Sequence, residues 1–161
     1  MSSSVEVLNS GLVSKPRDLI RRYASLYLRI ALGAGFLTSV TDRLGLWGPP
    51  GRRNVAWGNL ERFTDYTATL NPWAPRAIVP AIVWTVTVAE IILGIALLLG
   101  FATRRVAVWS GALLLLFGFG MTIGTGLKSA LNASVFSASA AAFALSTMEH
   151  FPWSVDELVG P

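Results

Sequence analysis

The stretch IVPAIVWTVTVAEIILGIALLL, residues 78–99, decides what kind of protein this is. It contains a single charged side chain, Glu90. As an α-helix rising 1.5 Å per residue it would cover about 33 Å, enough to cross the roughly 30 Å hydrocarbon core of a bilayer. Three more apolar blocks flank it, at 23–40, 106–125 and 131–148. The first is interrupted only by Arg29, and the other two carry no charge. Across all 161 residues, 53% are hydrophobic and 14% charged, with a mean hydropathy of +0.56. A soluble domain carries about a quarter charged residues. The expected fold is therefore an all-α membrane protein, a four-transmembrane-helix bundle.

Outside those blocks the chain divides simply. Residues 1–22 form a polar, then basic tail with Lys15, Arg17, Arg21 and Arg22. Pro16 suits the start of a short interfacial helix there. No small-residue cleavage site follows the first apolar block, so a cleaved signal peptide is not expected. Residues 23–148 make up the membrane domain, and 149–161 a second tail. The long connection at 41–77 opens with Gly45, Gly48, Pro49, Pro50 and Gly51, all turn-formers. It then spaces Trp57, Leu60, Phe63, Tyr66 and Leu70 by threes and fours, with Asn59, Glu61, Arg62 and Asp65 on the opposite face. That pattern predicts an interfacial amphipathic helix between the first and second spans. Asn71-Pro72-Trp73-Ala74-Pro75 ends it.

The last block is rich in small residues: Ala133, Ser134, Ser137, Ala138, Ala141 and Ala142. Helices in lipid associate through such residues, because lipid supplies no hydrophobic drive between them. Gly120 and Gly124 in the third block suggest close packing of the third helix on the fourth. Trp47, Trp73, Trp109 and Trp153 fall near predicted bilayer edges, as an aromatic belt would. Charge counting leaves orientation a near tie. Lys15, Arg17, Arg21, Arg22, Arg104 and Arg105 share one side, against Arg43, Arg52, Arg53, Arg62, Arg76 and Lys128. The first set crowds the span ends, which favours both termini in the cytoplasm.

Several chemistries are ruled out by what the sequence lacks. There is no cysteine and only one histidine, His150. Disulfides, cysteine-ligated iron–sulfur centres, a bis-histidine haem and a dinuclear Glu-x-x-His site within this chain are excluded, and no metal site is expected. The net charge of +4 comes from residues flanking apolar blocks, so the lipid bilayer is the expected partner and nucleic acid is not.

Glu90 is the residue that points to function. It sits at least about 13 Å from either end of its span, too deep for its side chain to reach water. Intramembrane carboxylates are costly, and they face the bundle interior with a partner or a role. Arg29, about 9 Å from the edge of the first span, is the expected partner in a buried polar pair. The alternative is that Arg29 snorkels to the surface. Tyr27, Trp84 and Thr87 are candidate walls of a ligand pocket around that pair. A second polar cluster is expected at the outer ends of the spans: Asp42, Arg43, Lys128 and Asn132, either a site rim or ordinary interfacial residues.

The run Glu90-Ile-Ile-Leu-Gly94, followed by leucines to Leu99-Gly100 and then Thr103-Arg104, is similar to the second-helix pattern of the DoxX-like family of small four-helix membrane proteins. Arg29-x-x-Leu32-Gly33 resembles that family's first-helix arginine. Asp42-Arg43-Leu44 falls where the family often has Lys-Leu, with arginine replacing lysine. The resemblance covers about residues 20–147. It implies a multi-pass protein of the bacterial or archaeal inner membrane, with Arg29 and Glu90 in a polar site between the first two helices. Relatives include the small subunit of an archaeal thiosulfate:quinone oxidoreductase and the membrane partner of bacterial redox-defence complexes.

The leading expectation is accordingly an accessory, non-catalytic or co-catalytic subunit of a quinone-linked redox complex. Its partner would be another protein of that complex, and a quinone or similar apolar molecule would be held non-covalently near Arg29 and Glu90. The alternative is a scaffold subunit in which the charged pair is only a latch. A small transporter is disfavoured, since no span is broken at its midplane and no inverted repeat is visible.

Overall fold

The computed structural model describes residues 16–159, and every regular element among them is helical. Helix α1 is Pro16–Arg43, α2 is Leu60–Leu70, α3 is Val79–Leu99 after a 3-10 turn at Arg76–Ile78, and α4 is Thr103–Thr125. Then come the short α5 (Leu127–Asn132), α6 (Val135–Ser146) and α7 (Val155–Val159). Three helical stretches, Leu19–Arg43, Arg76–Leu99 and Thr103–Thr125, are long and apolar enough to cross a membrane by length and composition. Contact with lipid explains why so many large apolar side chains face outward. Ile92, Trp109, Leu116 and Ile123 are each more than 60% exposed.

The first and last blocks differ from expectation. Helix α1 is continuous through residue 22, so the basic segment extends the first apolar helix instead of forming a separate interfacial one. Nothing in Arg21–Tyr23 breaks a helix, and Pro16 stands at its first turn, where a missing N–H costs nothing. Residues 1–15, Lys15 among them, lie outside the described residues. The block 131–148 is not one helix. Ser134 adopts φ +55°, which interrupts the i→i−4 ladder and separates α5 from α6. Helix α6, with 12 residues, is about 18 Å long and does not span a bilayer core by itself.

Helix α1 packs antiparallel on α3, α4 on α6, and the pairs meet through α1–α6 and α3–α4 contacts. Gly33 and Gly94 let α1 and α3 touch backbone to backbone: a Cβ at Gly33 would stand 2.9 Å from the Gly94 carbonyl oxygen. Tight packing of α4 on α6 is present, but through other glycines than expected. Gly111 faces the Phe143 ring and Gly118 the Phe136 ring, and Ser139 Oγ donates to Gly111 O at 2.7 Å. Gly120 and Gly124 instead lie against Leu70 and Thr69, so they make room for the end of α2. Large aromatic rings on the small-residue helix fill the α4 glycine notches, which a count of small residues alone does not foresee.

Helix α2 is capped by Asn59, whose side chain accepts from Arg62 N at 2.9 Å. Its Phe63 and Thr67 are buried while Glu61, Arg62 and Asp65 are exposed. It crosses one end of the bundle, touching α3 and α4. The other end is closed by Gly100, at φ +67° in the left-handed C-cap of α3. Phe101 N donates to Ala96 O and Gly100 N to Leu97 O, a Schellman closure that turns the chain into α4. The apolar core of Leu32, Phe36, Leu97, Ala107, Ala142 and Leu145 occupies the Gly100 half of the bundle. The half nearer α2 is where the cavity lies.

Candidate functional site

Glu90 is 2% exposed, on the face of α3 turned into the bundle. Its partner is Arg43 and not Arg29: Arg43 Nη1 lies 2.6 Å from Glu90 Oε2. The same Nη1 donates to Thr87 Oγ1 at 3.0 Å, and Nε donates to Ser39 O at 3.2 Å. Thr87 in turn donates to Val83 O at 2.7 Å. At 2.6 Å the Arg43 and Glu90 groups form a close, buried ion pair. The guanidinium carbon also stands 3.7 Å from the Phe63 ring centroid and 5.6 Å from that of Trp57. Helix α2 and the loop before it thus cover one face of the cation with aromatic rings.

Direction explains the choice of partner. Each Cα–Cβ bond in a helix tilts toward its N-terminus. Arg43, at the C-terminal end of α1, therefore reaches back into the bundle, while Glu90 on the antiparallel α3 leans outward to meet it. Arg29 leans the same way along α1, which carries it away from Glu90. It is 1% exposed and donates Nε to Leu97 O at 3.1 Å, Nη1 to Pro152 O at 2.9 Å, and Nη2 to Leu98 O and Trp153 O at 3.2 Å each. It neither pairs with Glu90 nor snorkels; it satisfies orphan carbonyls at the end of α3 and ties the C-terminal segment to them.

That segment is bound in other ways too. Asp156 accepts from Ala102 N at 2.6 Å and Thr103 N at 2.7 Å, capping α4. Its own N–H donates to Gly100 O at 3.0 Å. Glu157 accepts from Trp153 N at 2.7 Å and lies 3.8 Å from Arg22.

The remaining expected residues scatter. Tyr27 is 72% exposed and Trp84 53% exposed, on outward faces of their helices, so neither walls a pocket. Thr87 does belong to the site, as the acceptor that orients Arg43. Of the outer cluster, Asp42 and Arg43 are buried. Asp42 Oδ2 accepts from Trp57 N at 2.9 Å, beside a shallow pocket of about 300 Å³. Lys128 and Asn132 are exposed on α5 and make no hydrogen bond or ion pair with the described residues. Two residues absent from the expected pocket, Phe63 and Tyr66, line it. Their place in the apolar stripe of α2 was the available signal.

Arg43 and Glu90 stand in the wall of a cavity of about 750 Å³. Its other walls are mostly apolar, with Leu32 and Phe36 from α1, Phe63 and Leu70 from α2, Val86 from α3, Phe117 from α4 and Val135 from α6, and with Ser39, Thr67 and Asn71 as polar exceptions. Ligand pockets span about 300–1,000 Å³, mostly apolar with a few converging polar groups. Tyr66 also lines the cavity, and burial pushes its phenol above the usual tyrosine range, so it stays a hydrogen-bond donor. No group of three or more acidic, histidine or cysteine side chains that would hold a metal ion occurs among the described residues.

No family model, no curated protein and no solved structure matches this chain.

Proposed function

We propose that this chain is a DoxX-like integral membrane subunit of a quinone-linked redox complex, and that it holds an isoprenoid quinone in the cavity beside Arg43 and Glu90. One observation carries the reading: an ion pair buried to within a few per cent, set in the wall of a mostly apolar cavity large enough for a ligand. Such a pair costs several kcal/mol per ion in desolvation, more than its mutual attraction readily repays. A role in binding a polar head explains why it is kept. The guanidinium offers donors to a quinone carbonyl, and the carboxylate offers an acceptor to a quinol hydroxyl.

In this reading α6, with the short α5 that precedes the break at Ser134, supplies the fourth crossing. Helix α2 lies at the outer interface and both termini are cytoplasmic, in a bacterial or archaeal inner membrane. The subunit is accessory: electrons are exchanged by a partner protein. The test is titration of the purified protein in lipid nanodiscs with an isoprenoid quinone, followed by tryptophan quenching. Saturable binding that is lost in a folded Arg43→Leu/Glu90→Leu double variant supports the proposal. Equal binding by the double variant overturns it.

A second reading, a scaffold subunit without a ligand of its own, draws on the fourfold carbonyl clamp at Arg29 and the docked C-terminal segment, which make one end of the bundle rigid. Partner co-purification undisturbed by the same double variant, with no quinone bound, favours it.

A further inference from the structure

The cavity is not closed evenly. Its α2 wall, which includes Phe63, Tyr66 and Thr67, has no exposed residue, and neither has its α3 wall of Ile82, Val86 and Glu90. On the opposite side the lining is open: Ala31 and Gly35 on α1 are exposed, as are Leu116, Phe119 and Ile123 on α4. Those helices are the apolar, membrane-crossing kind, so the opening faces lipid and not water. Gly35 is the smallest part of that rim. A Cβ added there would meet no atom within 4 Å, in contrast to Gly33 two residues earlier, which is wedged against α3.

Resting on the ligand reading above, we propose that the gap between Gly35 on α1 and the Leu116–Phe119–Ile123 face of α4 is a lateral portal. Through it a neutral, single-tailed amphiphile passes from the bilayer, its head reaching Arg43 and Glu90 and its tail remaining in the portal and the lipid.

Charge selects the head. The guanidinium and carboxylate sum to zero, so an anionic lipid headgroup would meet Glu90 and a cationic one Arg43, each a like charge in a medium of low dielectric. A neutral head with hydrogen-bonding oxygens meets neither penalty. Geometry selects the tail. About 750 Å³ holds a ring and the first part of a chain, and the rim beyond it is wholly apolar. Access from the side also spares the ligand from crossing α2, whose Phe63 ring packs on Arg43. Gly35 is then a residue that admits the ligand and does not touch its head.

The experiment compares Gly35→Leu with Gly35→Ala and the unsubstituted protein in nanodiscs. Two probes are used, a long-tailed isoprenoid quinone and its tailless, water-soluble head. Leucine is well tolerated in helices and the space is open, so thermal unfolding should be unchanged, which shows the variant is folded. The expected result is a fall of about tenfold or more in the association rate of the long-tailed quinone, within the range by which association rates vary among variants of one site. Affinity for the tailless head should stay the same, and Gly35→Ala should behave as the unsubstituted protein. Unchanged association of the long-tailed probe overturns the portal while leaving the site intact. An equal loss for both probes also overturns it, since the leucine then fills the pocket and not the rim. Failure of the unsubstituted protein to bind either probe overturns the ligand reading and the portal with it.

Discussion

Arg43, the last residue of the first helix, lies 2.6 Å from Glu90, near the middle of the next long one. The pair is formed because α1 and α3 run antiparallel and both side chains lean toward their own N-termini, hence toward each other. Both are at most 2% exposed, so neither charge has water to fall back on.

Removing one partner of that pair should be costly and removing both should not. Breaking a buried pair costs about 3–5 kcal/mol, whereas replacing it with apolar side chains is often neutral. Arg43→Leu alone is expected to lower the unfolding midpoint in mild detergent sharply, and Arg43→Leu with Glu90→Leu to recover most of the loss. The same double-mutant cycle run on Arg29 and Glu90 should be additive. Coupling between 29 and 90 as strong as that between 43 and 90 would mean the register of α1 on α3 is wrong.

Arg29 should act on the C-terminal segment instead. Its four acceptors are carbonyls, two from α3 and two from Pro152 and Trp153. Each hydrogen bond from a charged donor is worth about 1.5–3 kcal/mol. Arg29→Met is expected to destabilise the protein and to make the bonds around 150–157 sensitive to limited proteolysis. Arg29→Lys should rescue little, because an ammonium lacks the planar fork that reaches four oxygens. A protease-resistant Arg29→Met protein would refute the clamp.

Asp156 joins the same end of the bundle from the other side. It accepts from two free N–H groups at the start of α4, where a negative charge also meets the positive end of the helix dipole. Asp156→Ala should cost about 1 kcal/mol, as loss of a helix cap does. Faster amide exchange at Ala102 and Thr103, with the far end of α4 unaffected, is the measurement.

Two glycines on one helix should respond in opposite ways to the same change. Gly33→Ala forces α1 away from α3 and is expected to cost about 1–3 kcal/mol, as overpacking does. Gly35→Ala meets nothing, and should be neutral or stabilising by up to about 1 kcal/mol from helix propensity. Equal thermal midpoints for the two variants would contradict the backbone contact at Gly94.

The apolar blocks at 78–99 and 106–125 correspond to α3 and α4 within three residues at each end, because long apolar runs have one stable form in lipid. The helix at 60–70 was legible from its stripe, and so was the burial of Glu90. Other features were not. The break at Ser134 is a single left-handed residue in an Ala- and Ser-rich run with no glycine or proline to announce it. Gly120 and Gly124 looked like a surface for the last helix but receive Leu70 and Thr69 of α2, a contact no spacing rule reveals.

What the sequence alone determined is the class: apolar runs of bilayer length must satisfy their backbone as helices, and a carboxylate in the middle of one must be turned inward. Which guanidinium meets that carboxylate was decided only in three dimensions. By depth Arg29 looked available, while Arg43, beyond the expected end of the first span, did not. The antiparallel contact at Gly33 and Gly94, together with the tilt of side chains along each helix, gives Glu90 to Arg43 and leaves Arg29 to the carbonyls at the far end. Depth along a helix is a property of one chain segment. Register and facing direction exist only between two.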